Sequence, residues 1–270
     1  MRPLILLTND DGIAARGLLE AAQALLPLGE VWIVAPEQQW SGASRSILRS
    51  VSGRITPYPY TVNGVTLPTY SVDATPTMAV IHAICEILPR RPALVVSGIN
   101  GGENVSTDIT VSATVGAALE AAAQGIPALA VSLEMNKAYH YHPEGNHTTD
   151  YSGARAYTYR CAHWLLTQAL PFDVDILNVN LPAEARPDTP WRLTCLSRVR
   201  YFTPTAPDRA AGEGRPGYTV LDTFTQVETD SDIAALRLQR CVSITPISLD
   251  MTSRVDFGLL EERFKALTAE

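Results

Sequence analysis

The sequence predicts an α/β fold in which a mostly parallel sheet lies between two layers of helices. Short apolar runs alternate with stretches of helical periodicity over the first two-thirds of the 270 residues. Strands separated by helices pair in parallel, because each helix carries the chain back to the same end of the sheet. The composition agrees, since 46% hydrophobic and 18% charged residues are typical of a globular chain that buries a full core.

The first elements each carry a local signal. Residues 4–8 are an apolar run that predicts a buried strand, and residues 17–26 repeat leucine and alanine at helical spacing. Residues 31–35 predict a second buried strand, which Pro36 ends. Asn63-Gly64 lies between two β-branched runs and predicts the two-residue turn of a hairpin, because both residues adopt positive φ easily.

The alternation continues with a helix that Thr75 caps and Pro76 opens. The buried face of this helix is predicted to carry Met78, Ile81, His82, Cys85 and Leu88. Further strands are predicted at 93–97, 128–133 and 175–180, separated by helices at 112–123 and 154–170.

After Pro182 the pattern changes to short β-like runs with many proline and glycine residues. Residues 203–218 predict a long loop or arm, a feature that is usually functional or interfacial in a compact domain. We therefore expect a core at 1–185 and a β-rich C-terminal part at 186–270, integrated in a single domain.

Composition also limits the class of partner. The net charge of −7 argues against binding of a nucleic-acid duplex, which requires a basic surface. No apolar run reaches membrane-spanning length and no secretory signal is visible, so we expect a cytoplasmic protein without membrane contact. The cysteines, which contain no C-x-x-C pair and are expected to be free and mostly buried, are Cys85, Cys161, Cys195 and Cys241.

Two adjacent carboxylates, Asp10 and Asp11, stand where the first strand runs into a glycine turn. Core packing does not explain a polar cluster at the end of an apolar strand, and ligands of open α/β sheets bind at this edge. Paired carboxylates suit a hard divalent cation. The alternative is that Asn9 or Asp10 shapes the turn and caps the next helix, which would leave the second carboxylate without a role.

Two further loops are predicted at the same edge of the sheet. One follows the second strand and contains Ser41, and the other follows the strand at 93–97 and contains Asn100. Each loop alone is more simply explained as a turn. Parallel strands would bring both loops to the paired carboxylates, however, and the shared point would then hold carboxylate, hydroxyl and amide oxygens.

The helix predicted at 112–123 begins with two hydroxyl side chains, Ser112 and Thr114. Hydroxyls and free backbone N–H groups at a helix start bind phosphate, whereas the simpler interpretation makes Ser112 only an N-cap. A cation beside such a pocket predicts phosphoryl chemistry, because it would polarise a phosphate and lower the pKa of a bound water. Asn104 and the helix start would hold the non-bridging oxygens.

Other chemistries lack their motifs. The sequence has no Walker A motif, no G-x-G-x-x-G and no G-x-S-x-G, so the fingerprints of nucleoside triphosphate, dinucleotide and serine-hydrolase sites are missing. The loosely spaced histidines His140, His142 and His147 are expected on a solvated loop rather than at a metal.

Several separate motifs resemble the SurE family of stationary-phase survival proteins, which are divalent-metal-dependent 5′/3′-nucleotidases. The strongest matches are Leu6-Leu7-Thr8-Asn9-Asp10-Asp11-Gly12, Ala35-Pro36 with Ser41-Gly42-Ala43-Ser44, and Ser97-Gly98-Ile99-Asn100-Gly101-Gly102-Glu103-Asn104. Later matches are Asn178-Val179-Asn180-Leu181-Pro182, Thr229-Asp230 and Val242-Ser243-Ile244-Thr245-Pro246-Ile247. Because the motifs occur in the family's order from end to end, chance agreement is improbable.

The resemblance implies a Rossmann-like core, nucleoside monophosphate substrates, and a C-terminal arm that exchanges between subunits of a homodimer or homotetramer. It implies that one Mg²⁺ or Mn²⁺ per subunit is bound by Asp10, Asp11, Ser41 and Asn100. The catalytic residues expected on both grounds are Asp10, Asp11, Asn104, Ser112 and Thr114. Either aspartate could act as general base.

The sequence departs from the usual family pattern close to the expected site. Trp40 stands beside Ser41, where basic residues or asparagine are usual, and Val111 and Ala113 replace the usual tyrosine and glycine. All four metal positions are intact, so these changes bear on substrate preference and rate more than on chemistry. They leave open a second class of function, a nucleotide- or anion-binding module with lost or altered activity, and a third, the hydrolysis of another ester.

Overall fold

The computed structural model of the protein describes residues 2–136, 149–210, 212 and 214–267. Its strands are β1 (Leu4–Thr8), β2 (Glu30–Pro36), β3 (Ile55–Pro57), β4 (Thr61–Val62), β5 (Val65–Thr66), β6 (Thr69–Val72), β7 (Leu94–Gly101), β8 (Ala128–Leu133), β9 (Ile176–Leu181), β10 (Trp191–Leu193), β11 (Phe202–Thr205), β12 (Gly217–Val220) and β13 (Val242–Ile247). Its α-helices are α1 (Arg16–Leu25), α2 (Pro76–His82), α3 (Ala113–Ala123), α4 (Ser152–Thr167) and α5 (Phe257–Leu267). Wider π turns occur at Ala83–Ile87 and Ala234–Leu238, and a 3₁₀ helix at Ser106–Val111.

Nine of these strands form one sheet in the order β10-β13-β9-β8-β7-β1-β2-β6-β3. Strand β1 pairs in parallel with β2 and β7, and the parallel arrangement continues outward to β6 on one side and to β9 on the other. The mostly parallel sheet predicted from the alternating pattern is thereby confirmed. The strands of this sheet that follow β1 in the chain, from β2 to β6, lie on one side of β1, and β7 and the later strands of the sheet lie on the other side. This reversal of strand order leaves a crevice between the carboxyl ends of β1 and β7.

The central strands are buried on both faces, which explains their uninterrupted apolar sequences. Ile5 and Leu7 of β1 belong to the hydrophobic core that contains residues of α1 and α4, whereas Leu6 belongs to the core that contains residues of α2 and α3. Successive side chains of a strand point to opposite faces, so a strand covered on both sides cannot alternate with polar residues. Helices therefore form a layer on each face of the sheet.

The C-terminal part joins the same sheet and also extends away from it. Strand β13 pairs antiparallel with β9, and β10 pairs in parallel with β13. Strands β11 and β12 form a separate antiparallel hairpin. Helix α5 has no buried residue, and the apolar stripe that it exposes consists of Phe257, Leu260, Phe264 and Leu267.

The predicted buried face of α2 is wrong. Its buried residues are Pro76, Thr77, Ala79 and Val80, followed by Ala83 in the π turn. The small side chains share a core with three alanines of α3, so α2 lies close to that helix. His82 is only half-buried and contacts Glu86 at 2.5 Å, and Cys85 is exposed.

The thiols are free, as predicted, but the expectation that most are buried is wrong. Cys161 is buried, whereas Cys85 and Cys195 are exposed and Cys241 is half-buried. Burial raises the pKa of the Cys161 thiol to about 12, which makes it a poor nucleophile. None of the helices in the described part of the chain is long and apolar enough to cross a membrane.

The turn after β1 settles the capping alternative. The N-cap of α1 is Ala15, which has no side-chain capping bond, so neither Asn9 nor Asp10 caps this helix. Asn9 instead donates from Nδ2 to the carbonyl oxygen of Gly12 at 2.9 Å and shapes the turn. The two carboxylates therefore require another explanation.

Candidate functional site

The crevice between β1 and β7 contains the residues that the sequence placed at the sheet edge. Asp10 and Asp11 follow β1 after one residue, Asn9, and Asn100 lies at the carboxyl end of β7. A loop was predicted to begin at residue 98, but β7 continues to Gly101, with an irregular register against β8 between Ser97 and Asn100. Asn100 is therefore held by the sheet itself, which fixes its position more firmly than a free loop would.

One cavity of about 260 Å³ connects most of the predicted site residues. Those that line it are Asp10, Ser41, Asn100, Asn104 and Ser112. Asp11 and Thr114 do not line the cavity; both are buried directly behind its wall. The structure therefore brings oxygen donors from four separate chain segments to one point.

The Asp10 carboxylate is fixed from behind. Thr114 of α3 donates from Oγ1 to Asp10 Oδ1 at 2.6 Å, and the Asp10 carbonyl oxygen accepts from the backbone N–H of Trp40 at 2.7 Å. The contact with Thr114 joins residues 104 positions apart in the chain. Thr114 was expected to touch phosphate, but in this arrangement its hydroxyl donates to the carboxylate and orients it toward the cavity.

Asp11 is fixed by two donors. The backbone N–H of Gly101 donates to Oδ2 at 3.0 Å, and Gln39 donates from Nε2 to Oδ1 at 3.3 Å. Each carboxylate oxygen accepts more than one bond, so these contacts orient the group and leave further acceptor capacity. Gln39 stands in the loop that also contains Ser41, so this loop and the turn after β1 are tied together.

Burial raises the pKa of both Asp10 and Asp11, and the charge of Asp10 raises the pKa of Asp11 further. The cause is that two like charges are removed from water side by side. Within residues 2–136 and the later described segments, no basic side chain forms an ion pair with either group. A buried anionic pair of this kind is suited to a cation.

The donors that the cavity offers to a cation are oxygen atoms. No group of three or more His, Cys, Asp or Glu side chains suited to a metal occurs among the residues that the structure describes. Asn100 donates from Nδ2 to the Gly102 carbonyl oxygen at 2.6 Å. This bond uses the amide nitrogen, so the amide oxygen stays available as a neutral ligand. Two carboxylates with a hydroxyl and an amide oxygen fit a hard cation such as Mg²⁺ or Mn²⁺, and they do not fit a softer metal that needs nitrogen or sulfur ligands.

The beginning of α3 forms the other side of the cavity. Ser112 is confirmed as its N-cap, because Ser112 Oγ accepts from the backbone N–H of Val115 at 3.1 Å. Gly116 allows the close approach of the Ser41 loop, since a Cβ at this position would lie 2.7 Å from the carbonyl carbon of Ser44. The positive end of the helix dipole and the N–H groups of its first turn thus lie beside the carboxylate pair.

Asn104 is held in place by Ser132, Asn178 and Asn180, three residues to which the sequence pattern assigned no role. Asn104 donates from Nδ2 to Ser132 Oγ at 2.9 Å and to Thr114 Oγ1 at 3.3 Å. Its backbone N–H donates to Asn180 Oδ1 at 2.7 Å, and its carbonyl oxygen accepts from the side chains of both Asn178 and Asn180 at 2.9 Å. The signal in the sequence was the presence of small polar side chains inside the apolar strands β8 and β9.

The positions that depart from the family pattern and the loosely spaced histidines differ in where they lie. Val111 lines the cavity, whereas Ala113 is buried and Trp40 contributes only its backbone N–H to Asp10. His140, His142 and His147 lie outside the described residues.

The fold and the cavity together define a doubly wound α/β protein with an acidic, oxygen-lined cavity at its topological switch point. Comparison with known proteins identifies its family. The chain belongs to the SurE family, because the family model described as survival protein SurE matches residues 5–203.

Individual relatives extend the similarity over nearly the whole chain. A 5′-nucleotidase SurE from Methanosarcina barkeri is 42% identical over 266 residues, which cover 97% of this chain and 98% of the relative. A 5′-nucleotidase SurE from Thermococcus gammatolerans is 43% identical over 261 residues, or 95% of this chain and 94% of the relative. The crystal structure of the SurE protein from Aquifex aeolicus superposes with a TM-score of 0.73 at 28% identity and covers 96% of this chain and 98% of that one.

Proposed function

We propose that this chain is a 5′-nucleotidase that hydrolyses nucleoside monophosphates to nucleoside and phosphate and requires a divalent cation. The single observation that carries the proposal is the buried pair Asp10 and Asp11 at the topological switch point, where Asp10 and the start of α3 line one cavity. A cation site next to a helix N-terminus is complementary to a phosphate monoester. The similarity to relatives named 5′-nucleotidase SurE, over nearly their full length, supports the same activity.

In this proposal one Mg²⁺ or Mn²⁺ would be held by Asp10, Asp11, Ser41 and Asn100. When bound, such a cation neutralises phosphate charge and lowers the pKa of a coordinated water. The protein groups orient the ligands: Thr114 holds Asp10, and the Gly101 N–H and Gln39 hold Asp11. Hydrogen-bond partners of this kind set the geometry of a metal site almost as strongly as the ligands do.

The phosphate would lie between the carboxylate pair and the beginning of α3. Ser112, which lines the cavity, and the first-turn N–H groups would bind its non-bridging oxygens as negative charge develops on them. Asn104 keeps Thr114 and Ser132 connected at the cavity wall and contributes a polar surface there. The rigid hydrogen-bond network behind the cavity means that little reorganisation is needed during the reaction.

A phosphate-release assay tests the function. The panel is 5′- and 3′-nucleoside monophosphates of each base, with Mg²⁺, Mn²⁺, Co²⁺ or EDTA, and includes non-nucleotide phosphate and sugar esters. We expect cation-dependent release from at least one nucleoside monophosphate and background release in EDTA. Nucleotide binding by calorimetry without turnover at saturating Mn²⁺ would instead support a binding module, and cleavage of another ester alone would replace the proposed substrate.

We further propose that the core at 1–185 carries the cation-binding and catalytic residues and that residues 186–270 form a homodimer or homotetramer by exchange of C-terminal elements. Helix α5 exposes its whole apolar stripe, and an isolated helix of 11 residues is marginal in water. The chain also has an apolar groove of about 510 Å³ whose exposed side chains include Trp164, Trp191 and Leu193. A second copy of the chain supplies both complementary surfaces.

Light scattering tests this assembly. Phe264→Asp on the stripe and Trp191→Asp in the groove are each expected to shift the protein toward the monomer, because each places a charge in an apolar interface. The exposed Glu262 lies on the opposite side of α5, and Glu262→Ala is expected to leave the mass unchanged. A monomeric parent protein, or oligomers that resist both charged variants, would contradict the proposal.

A further inference from the structure

The hairpin β11–β12 forms one wall of the cavity that Asp10 lines. Its contributions are Phe202, Pro204, Gly217 and Tyr218. We propose that this wall is the nucleobase subsite and that Phe202 and Tyr218 determine recognition of the base. The inference deepens the proposed function and rests on it, because it assigns the second half of the same substrate.

The two ends of the cavity differ in chemistry as the two ends of a nucleotide do. One end is lined by carboxylate, hydroxyl and amide oxygens, with the helix start beside them. The hairpin side is lined by two aromatic rings and a proline, with Arg200 at the base of the hairpin. Every base has a π-face that stacks on an aromatic ring, so the apolar end suits the base while the polar end suits the phosphate.

The register of the hairpin explains why both rings face the cavity. Phe202 pairs with Val220 and Pro204 pairs with Tyr218, so these four residues share one face of the two-stranded ribbon. Thr203 and Thr219 pair between them and point to the opposite face. The rings of Phe202 and Tyr218 meet edge to face, with centroids 5.4 Å apart and planes at 88°. Both side chains are half-buried, which leaves ring surface for a ligand.

The base of the hairpin is anchored to the phosphate end. Asp108 Oδ2 accepts from the backbone N–H groups of Tyr201 at 2.9 Å and of Phe202 at 2.8 Å, and Asp108 lines the same cavity. The Tyr201 hydroxyl donates to Glu103 Oε1 at 2.7 Å, one residue before Asn104. These hydrogen bonds fix the distance between the aromatic wall and the oxygen-lined end, as a subsite for one ligand of fixed length requires.

Steady-state kinetics on the full chain tests the subsite. Phe202→Leu and Tyr218→Leu remove a ring and keep apolar volume, and Thr203→Val is the matched control on the opposite face of the hairpin. The substrates are purine and pyrimidine nucleoside 5′-monophosphates, and the base-free probe is inorganic phosphate as a competitive inhibitor. We expect each leucine variant to lower kcat/KM for the purine nucleotide by about 5- to 100-fold, mainly through KM.

In both leucine variants the inhibition constant of inorganic phosphate is expected to change less than about twofold, because phosphate has no base to stack on the aromatic wall. The control Thr203→Val is expected to match the parent protein in kcat/KM and in the inhibition constant. An unchanged KM in both leucine variants would place the base elsewhere. An equal loss in nucleotide and phosphate binding would show that the rings only support the fold. If the parent protein itself releases no phosphate from any nucleotide, the proposed function fails, independently of the subsite.

Discussion

Replacing Asp10 or Asp11 by asparagine is expected to lower cation-dependent phosphate release by about 10³-fold or more, since a bound cation contributes several kcal/mol to phosphoryl chemistry. Asparagine keeps the shape of the side chain but removes the charge that holds a hard cation. The variants are expected to stay folded, because burial penalises the charge and a neutral amide lacks that penalty. The measurements are kcat/KM at saturating Mn²⁺ and thermal unfolding in EDTA.

Variants of Thr114 and Asp222 test how far the loss of activity depends on the cation site. Thr114→Val removes the donor to Asp10 Oδ1 and is expected to weaken cation affinity by about 10- to 100-fold, and Thr114→Ser should restore it. Asp222 is exposed, so Asp222→Asn serves as the charge-matched control and is expected to behave as the parent protein. Full activity in Asp10→Asn or Asp11→Asn, or activity that EDTA does not affect, would refute the cation site.

The stabilisation of the fold by Mg²⁺ is expected to be larger at pH 8 than at pH 5.5. Both aspartates have pKa values raised above the ordinary 3.8, so the cation-free folded protein retains protons that the unfolded chain has already released. The free energy of unfolding of the cation-free protein therefore falls as the pH rises from 3.8, the ordinary pKa of these groups, through their raised pKa values in the folded protein. A cation requires the carboxylates deprotonated and displaces these protons, so its affinity rises by about tenfold per pH unit for each proton displaced.

The difference in melting temperature between Mg²⁺ and EDTA, measured at pH 5.5 and pH 8, tests this linkage. The double variant Asp10→Asn with Asp11→Asn is expected to abolish both the cation-induced shift and its dependence on pH. An equal shift at both pH values, or a larger one at pH 5.5, would show that these carboxyls do not bind the cation.

Much of the fold and part of the site could be predicted because the signals are local. The strand Leu4–Thr8 matched its predicted bounds, and Ser112 was confirmed as the N-cap of α3. Both depend on residues within a few positions of each other. The buried face of α2 could not be predicted in the same way, because it depends on how closely the alanines of α3 approach. The direction of the Thr114 hydroxyl likewise depends on a partner in a distant turn.

By itself the sequence determined the alternating α/β architecture and the edge of the sheet at which polar side chains collect, because hydrophobic periodicity and strand-end residues are properties of short segments. Only the tertiary structure decided which of those side chains face the cavity and which support it from behind. It placed Thr114 and Asp11 behind the wall and brought the hairpin with Phe202 and Tyr218 over the other end. These relations join segments far apart in the chain, and packing rather than local preference sets their distances.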